Sequence, residues 1–493
     1  MRKFQLAVTL FLLLMLAVIA FLAYKLHEYD SYREAIYPGV SAAGISLEGM
    51  TQEQARQTLE EMVLTPLSQP IALQYQEDTI ILMPSDVNLE LYVDNMVEEA
   101  YHLGRGEQPQ FWDGYIKFVT EGLTSVNEDI ALQYVYQQEM LRDFLEEIAL
   151  ERDQPMRQVQ AITDTLSFRP GRPGRRLSIA PSLSRVERIL TSADEREVTL
   201  VVEALEPPPP DIELLRSMVQ HRIDEFAGIV GIYISDPATD DRIEINSDVI
   251  YSGMSVVKLG IMLETVLRFE GQELDEETQD IMLKMVTDVT PERPGSNYWA
   301  NQLLGMIGGG SQADGCRRVT ARMHELGLTR TFIRHPYRLE TEGARLGPGL
   351  AKLRFLQEPI SANPDPFIQT SAHDIGMLLE MIYDCSQGEG RLLEDYAGRI
   401  TPQSCRLILD DMKQNPVRLL IGRGIPEDVP LAHKHGYVYD THADAGVVFS
   451  PGGDYIIVHF QYAPTDWLVF DLSWPVFEDV SFATYNYFNI GEQ

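Results

Sequence analysis

Four consecutive prolines, Pro207–Pro210, constrain this chain more than any other feature. Proline has no backbone N–H and a fixed φ, so four in a row favour an extended, semi-rigid spacer over a helix interior or a central strand. With Glu206 they form a linker over 206–210 that separates residues 31–205 from 211–493. A chain of 493 residues, 44% hydrophobic and 23% charged, suggests two or three packed domains and excludes general disorder. The net charge of −34, from 40 basic and 74 acidic residues, argues against nucleic acid as a partner, because phosphate binding needs a basic face. A solubilising acidic surface is the plain reading of that charge.

Residues 1–30 read as a signal anchor. Arg2 and Lys3 precede an apolar run from Leu6 to Tyr24, nineteen residues without a charge, enough to cross a bilayer as a helix. The run ends in Ala-Phe-Leu-Ala-Tyr-Lys, a poor match to a cleavage site, and no cysteine lies near it to carry a lipid. Basic residues before the span and acidic ones after it place the body outside the cytoplasm, in a single-pass topology. Three cysteines, Cys316, Cys385 and Cys405, carry no C-x-x-C and give no metal signature. Buried free thiols are expected, with Cys385 and Cys405 the closest pair in sequence if an oxidising compartment permits a disulfide.

The segment 31–205 reads as an α+β module. Tyr37-Pro38-Gly39-Val40 and Gly44-Ile45-Ser46-Leu47-Glu48-Gly49-Met50 open it, and Thr51 to Gln54 fits a capping box before the helical stripe Ala55, Leu59, Met62. Ile71–Tyr75 and Thr79–Leu82 read as paired strands, and Asn127 to Arg157 as a long helix. Phe168-Arg169-Pro170-Gly171, a helical Leu183-Val186-Ile189-Leu190 stripe and the strand Glu197–Val202 close the module. These elements resemble the peptidoglycan-binding module that precedes L,D-transpeptidase domains, which implies a cell-wall partner. A spacer with no ligand is the alternative.

In 211–493 an amphipathic helix, Ile212 to Phe226, is followed by strands at Ile229–Ile234 and Arg242–Ile245. Strands return at Ala445–Phe449 and Tyr455–Phe460, before a last helix over about Val476 to Phe488. Strands at both ends around a helical block argue for an α+β layer fold and against a doubly wound one.

Three stretches of this part can carry chemistry. Ser255-Val256-Val257-Lys258 stands before the apolar run Leu259–Leu267, which reads as a buried helix. With Ser255 in its first turn, Lys258 shares the serine's face, and the serine N–H can help hold an oxyanion. Burial disfavours the lysine ammonium, so Lys258 can act as the base that a serine nucleophile needs. Pro294-Gly295-Ser296-Asn297 opens a helix on which Asn297 and Asn301 lie one turn apart; an asparagine is donor and acceptor at once. His433-Lys434-His435-Gly436-Tyr437 precedes a late strand, where Lys434 can meet a carboxylate and Gly436 leaves room for backbone.

Order and spacing together resemble the class A β-lactamases and their penicillin-binding relatives over about 211–493. Gly308–Gly310 with Val319–Thr329, Thr370–Asp374, and His442–Val448 add to the likeness. The resemblance implies a β-lactamase-like fold: an antiparallel sheet flanked by helices plus an all-helical subdomain. It implies Ser255 as acylated nucleophile, Lys258 as its base, and Asn297 and Lys434 at the Ser-Asp-Asn and Lys-Thr-Gly positions. Ser255 and Tyr437 would supply oxyanion N–H groups, Gly436, His435 and Asn301 would border the substrate, and no cofactor is implied. β-Lactams or peptidoglycan peptides are the implied partners. This sequence departs from the pattern in three places. Gly295 takes the shuttling serine's place unless a one-residue shift lets Ser296 serve, and His435 replaces the usual threonine. No Glu-x-x-Leu-Asn occurs in 336–369, where Glu340, Glu342 and Glu358 are the candidate deacylating bases. A β-lactam-hydrolysing enzyme, a D,D-peptidase or transpeptidase, and a wall-binding protein without turnover are the three readings these residues leave open.

Overall fold

A computed structural model describes residues 2–105, 111–122, 125–289, 294–338 and 360–491. The chain forms two compact units, Met1–Arg157 with Pro173–Pro207, and Gln158–Arg172 with Pro208–Gln493.

In the first unit, helix α1 (Arg2–Arg33) carries the apolar run, and its side chains from Phe4 to Tyr24 are exposed. Among the described residues it is the one helix long and apolar enough to cross a membrane. The capping box forms: Thr51 Oγ1 accepts the Gln54 N–H and Gln54 Oε1 accepts the Thr51 N–H, which satisfies two orphan donors of the helix Gln52–Leu59. Ile71–Tyr75 pairs antiparallel with Asp78–Leu82, and Glu197–Thr199 adds in parallel. A second helix, α2 (Phe111–Glu121), lies against the C-terminal part of α1.

The long helix expected from Asn127 to Arg157 forms only over Gln138–Arg152. Glu128–Ile130 is instead a strand, parallel to Val40–Ala42, and Tyr134–Val135 pairs with Glu90–Leu91. Asn127, at φ +48°, turns the chain into the first of these, a conformation asparagine tolerates better than most residues.

The second unit is built on a five-stranded sheet of β1 (Ile229–Ser235), β2 (Arg242–Ile245), β3 (Leu431–Tyr437), β4 (Thr441–Ser450) and β5 (Gly453–Tyr462). Its order is β2-β1-β5-β4-β3, antiparallel throughout, with β3 at an edge. Helices α3 (Ile212–Ile223), α6 (Ala372–Gln387), α7 (Pro402–Lys413) and α8 (Phe470–Phe488) pack on it, and α4 (Lys258–Arg268) and α5 (Gly295–Ile307) pack on each other in the helical block.

Alternate residues along each strand enter different cores. Ile232, Ile234, Val448, Tyr455 and Ile457 pack with α3 and α8. Tyr233, Val447, Ile456, Val458 and Phe460 pack with the helical block that contains α4. Because both faces are covered, most residues of β1, β4 and β5 are buried, the polar ones included. This is the α+β layering expected from the sequence. The last helix starts at Phe470, earlier than expected, with Pro475 near its beginning.

Two expectations are corrected in this unit. Cys385 and Cys405 are not free thiols: α6 and α7 pack together and bring their Cα atoms to 5.9 Å in a disulfide. Cys316 stays free and buried, and burial pushes its thiol up to about 11. The segment 158–172, read as part of the first unit, belongs to the second. It forms a hairpin, Gln160–Ile162 with Ser167–Arg169, whose Phe168 ring lies 5.5 Å from that of Tyr487. Asn486 Nδ2 donates to the Leu166 carbonyl at 2.8 Å.

Candidate active site

Every residue of α4 from Lys258 to Leu267 is buried. A helix apolar on all sides belongs in a core, and the two charges within that stretch are handled differently. Glu264 is paired with Arg322 at 2.8 Å. Lys258 meets only neutral partners: Nζ donates to Ser296 Oγ and to Asn297 Oδ1, both at 2.8 Å, and stands 4.7 Å from the centre of the Tyr337 ring. Burial, and then the nearby Lys434 ammonium, push the Lys258 pKa well below the ordinary lysine value. Burial and the neighbouring positive charge thus favour the unprotonated amine, the form able to accept a proton.

Ser255 lies in the turn that feeds α4, not within the helix itself. Its carbonyl accepts the Lys258 N–H at 3.2 Å, and Val256 and Val257 make the same three-residue bonds to Leu259 and Gly260. This tight lead-in keeps the serine one short turn ahead of the lysine. Met254, just before it, has φ +47°, a left-handed conformation costly for a side chain of this size. The Tyr337 hydroxyl donates to the Met254 carbonyl at 2.9 Å and holds that turn.

Ser296 and Asn297 open α5. Ser296 Oγ donates to the Met285 carbonyl at 2.6 Å, so its oxygen is free to accept from Lys258. Asn297 Nδ2 reaches the Arg338 carbonyl at 3.3 Å. The serine beside the lysine is therefore Ser296, one residue away from the position where the motif would put it. Asn301 does not line the site as expected. It is buried, and both ends of its amide clamp the main chain of Tyr337: Nδ2 donates to the carbonyl at 2.7 Å and Oδ1 accepts the N–H at 2.9 Å.

Edge strand β3 forms the other wall. A Cβ on Gly436 would sit 2.8 Å from the Ser255 nitrogen and 3.0 Å from Met254 Cβ, so only glycine lets β3 approach the serine this closely. Val438 N–H bonds the Thr441 carbonyl at the end of the hairpin. Alternation along the antiparallel ladder then turns the Tyr437 N–H away from β4. The Tyr437 side chain is exposed and packs on Phe470.

Lys434 is buried, and burial lowers it to about 8 although Asp444 pulls the other way. His435 is lowered to about 3, first by burial and then by Lys434, so it is neutral. Its Nδ1 lies 3.3 Å from Asn415 Nδ2, which also donates to the His433 carbonyl. Two residues back along the strand, His433 Nδ1 pairs with Asp444 at 2.9 Å.

The structure thus gathers Ser255, Lys258, Ser296, Asn297, Lys434, His435, Gly436 and the Tyr437 main chain. Tyr337, Asn415 and Met254 join them without any sequence signal. Glu340, Glu342 and Glu358 lie outside the described residues. Among those described, no cluster of histidine, cysteine or carboxylate groups could hold a metal ion.

Residues 311–488 match the family model described as "Beta-lactamase enzyme family"; the match takes in the Lys434 strand but begins after Ser255, Lys258, Ser296 and Asn297. No curated protein matches. Among solved structures the chain is similar to a protein titled PBP-A, with 18% identity over 57% of this chain and 98% of that one, TM-score 0.41. It is similar to a β-lactamase from Sphaerobacter thermophilus, at 16% over 56% and 96%, TM-score 0.40. An ancestral class A β-lactamase matches at 17% over 55% and 98%, TM-score 0.39.

Proposed function

We propose that the second unit is a serine acyl-enzyme hydrolase of the β-lactamase and penicillin-binding type, acting on β-lactams or on peptidoglycan peptides. The observation that carries this reading is Lys258: a buried amine with only hydroxyl and amide partners, set one turn after a serine.

In this mechanism Lys258 Nζ takes the Ser255 hydroxyl proton as Oγ attacks the carbonyl of the scissile amide. The tetrahedral oxyanion lies between the N–H groups of Ser255 and Tyr437, donors already fixed before the reaction. Ser296 Oγ passes the proton from Lys258 to the leaving nitrogen, whose bond to carbon then breaks. Lys434 holds the substrate carboxylate by charge, and His435 adds an uncharged N–H. Hydrolysis of the acyl-enzyme requires a further base to activate water, for which Glu340, Glu342 and Glu358 are the candidates in the sequence.

Export and anchoring through α1 fit the same reading. The Cys385–Cys405 disulfide supports an oxidising compartment, where such bonds persist. A wall-binding role for the first unit rests on its sequence likeness alone.

The test is incubation with a fluorescent penicillin followed by intact mass. A single adduct is expected on the wild type and none on Ser255→Ala. No adduct on a wild type whose circular dichroism is native overturns the reading.

A further inference from the structure

Helix α2 has three sides. Gly114 and Phe118 are buried, with Phe111 and Tyr115 half-buried beside them. Asp113, Lys117 and Glu121 form an exposed polar stripe. Trp112 and Ile116, one turn apart, form an exposed apolar stripe, 62% and 58% accessible. Trp112 and Ile116 thus give α2 an apolar edge beside its polar stripe.

The inner side of α2 is fastened to α1. The Tyr115 hydroxyl donates to the Leu22 carbonyl at 2.6 Å. The Tyr29 ring lies 5.6 Å from Phe111, 5.8 Å from Tyr115 and 5.6 Å from Phe118. Lys25 Nζ stands over Phe118 at 5.3 Å. Leu22 is within the apolar run and Tyr29 beyond it, so α2 is pinned where the apolar run gives way to charge. At about 1.5 Å per residue, those contacts span roughly 10 Å of α1, the depth of a bilayer's polar boundary. Trp112 stands at the level where tryptophan is enriched in membrane proteins.

We infer that α2 is an interfacial helix, lying in the membrane surface beside α1 with Trp112 and Ile116 in the acyl boundary and Asp113, Lys117 and Glu121 toward water. The inference rests on α1 being a retained membrane anchor. Its consequence is that the first unit meets the bilayer at two points and is held against swivelling about a single helix.

The test uses the full chain in vesicles of phosphatidylethanolamine and phosphatidylglycerol. A nitroxide is placed singly through Trp112→Cys, Ile116→Cys, Asp113→Cys, Lys117→Cys and Leu14→Cys; Cys316 is buried and stays unlabelled. Sites 112 and 116 are expected to be relaxed more by oxygen than by a water-soluble nickel chelate, and 113 and 117 the reverse. A second measurement needs no cysteine: brominated lipid quenches Trp112, read as the difference from Trp112→Phe. If Leu14 is embedded but 112 and 116 are as nickel-accessible as 113, the interfacial helix is wrong and the anchor stands. If 112 and 116 are shielded from both reagents, protein covers them and the inference fails. If Leu14 is itself open to nickel, the anchor reading fails and the inference with it.

Discussion

The amide of Asn415 determines the tautomer of His435. Asn415 Oδ1 accepts the Val417 N–H at 3.1 Å, so the other end of the amide is nitrogen. That nitrogen, 3.3 Å from His435 Nδ1, donates, so Nδ1 carries a lone pair and the imidazole proton sits on Nε2. A nitrogen-15 spectrum of the wild type is expected to show a neutral Nε2–H ring from pH 5 to 8. Asn415→Asp supplies an acceptor instead, so Nδ1 gains a proton and the ring titrates near neutrality. A wild-type ring protonated on Nδ1 would contradict the assignment.

Lys258→Ala removes the proton acceptor and should slow acylation by several orders of magnitude, measured with fluorescent penicillin under single-turnover conditions. Lys258→Arg should not rescue it, because a guanidinium stays charged and accepts no proton. Recovery with arginine would mean that Lys258 acts by charge.

Lys434 must be protonated to hold a carboxylate, and its pKa is lowered to about 8. The kcat/KM for a carboxylate-bearing β-lactam should therefore fall as pH rises through about 8, mainly through KM. Lys434→Arg should keep its charge and move that limb to higher pH, and Lys434→Ala should abolish it. An unmoved limb in the arginine variant would assign it to another group.

Three histidines are buried in neutral form: His435 and His459 are lowered to about 3 and His442 to about 4, in each case chiefly by burial. The unfolded chain binds their protons near pH 6.5, so the stability they contribute is present above 6.5 and lost as pH falls toward 3 to 4. Each group contributes a slope of at most about 1.4 kcal/mol per pH unit. Urea unfolding at pH 7, 6 and 5 should show this steepening loss, and His459→Phe should lessen it. A flat profile would mean that these rings gain their protons within the folded state.

Phe168 belongs to the core of the second unit, and Phe168→Ala should cost about 3–5 kcal/mol there. A truncated protein of residues 211–493 should be less stable than one that also carries residues 158–172, as judged by thermal melts. Equal melting temperatures would show that the hairpin contributes nothing.

The local elements were legible because local periodicity encodes them: the Thr51 capping box, the strands of the main sheet, and the run after Lys258 that buries α4. Gly436 was legible as a close approach, although nothing local told what approaches it. Contacts made by single residues far apart in sequence were not legible. Tyr337 reaches Met254 across 83 positions with no motif to announce it. Asn301 has the spacing of a site residue, but an asparagine that clamps backbone looks the same in one dimension. Glu128–Ile130 continues a helical pattern until Val40–Ala42 offers it a ladder. Phe168 alternates with polar neighbours as any hairpin residue does, and alternation does not say which core receives it.

The hairpin alters what a cut in the chain can do. A protease that nicks 206–210 severs one covalent link, but residues 158–172 remain on the N-terminal fragment while their side chains stay seated in the second unit. The nicked protein should migrate as two bands under denaturing conditions and elute as one species under native ones. Release of the second unit from the N-terminal fragment then requires the hairpin to be withdrawn as well as the linker to be broken. The proline run marks a boundary in sequence, and the point of detachment lies elsewhere.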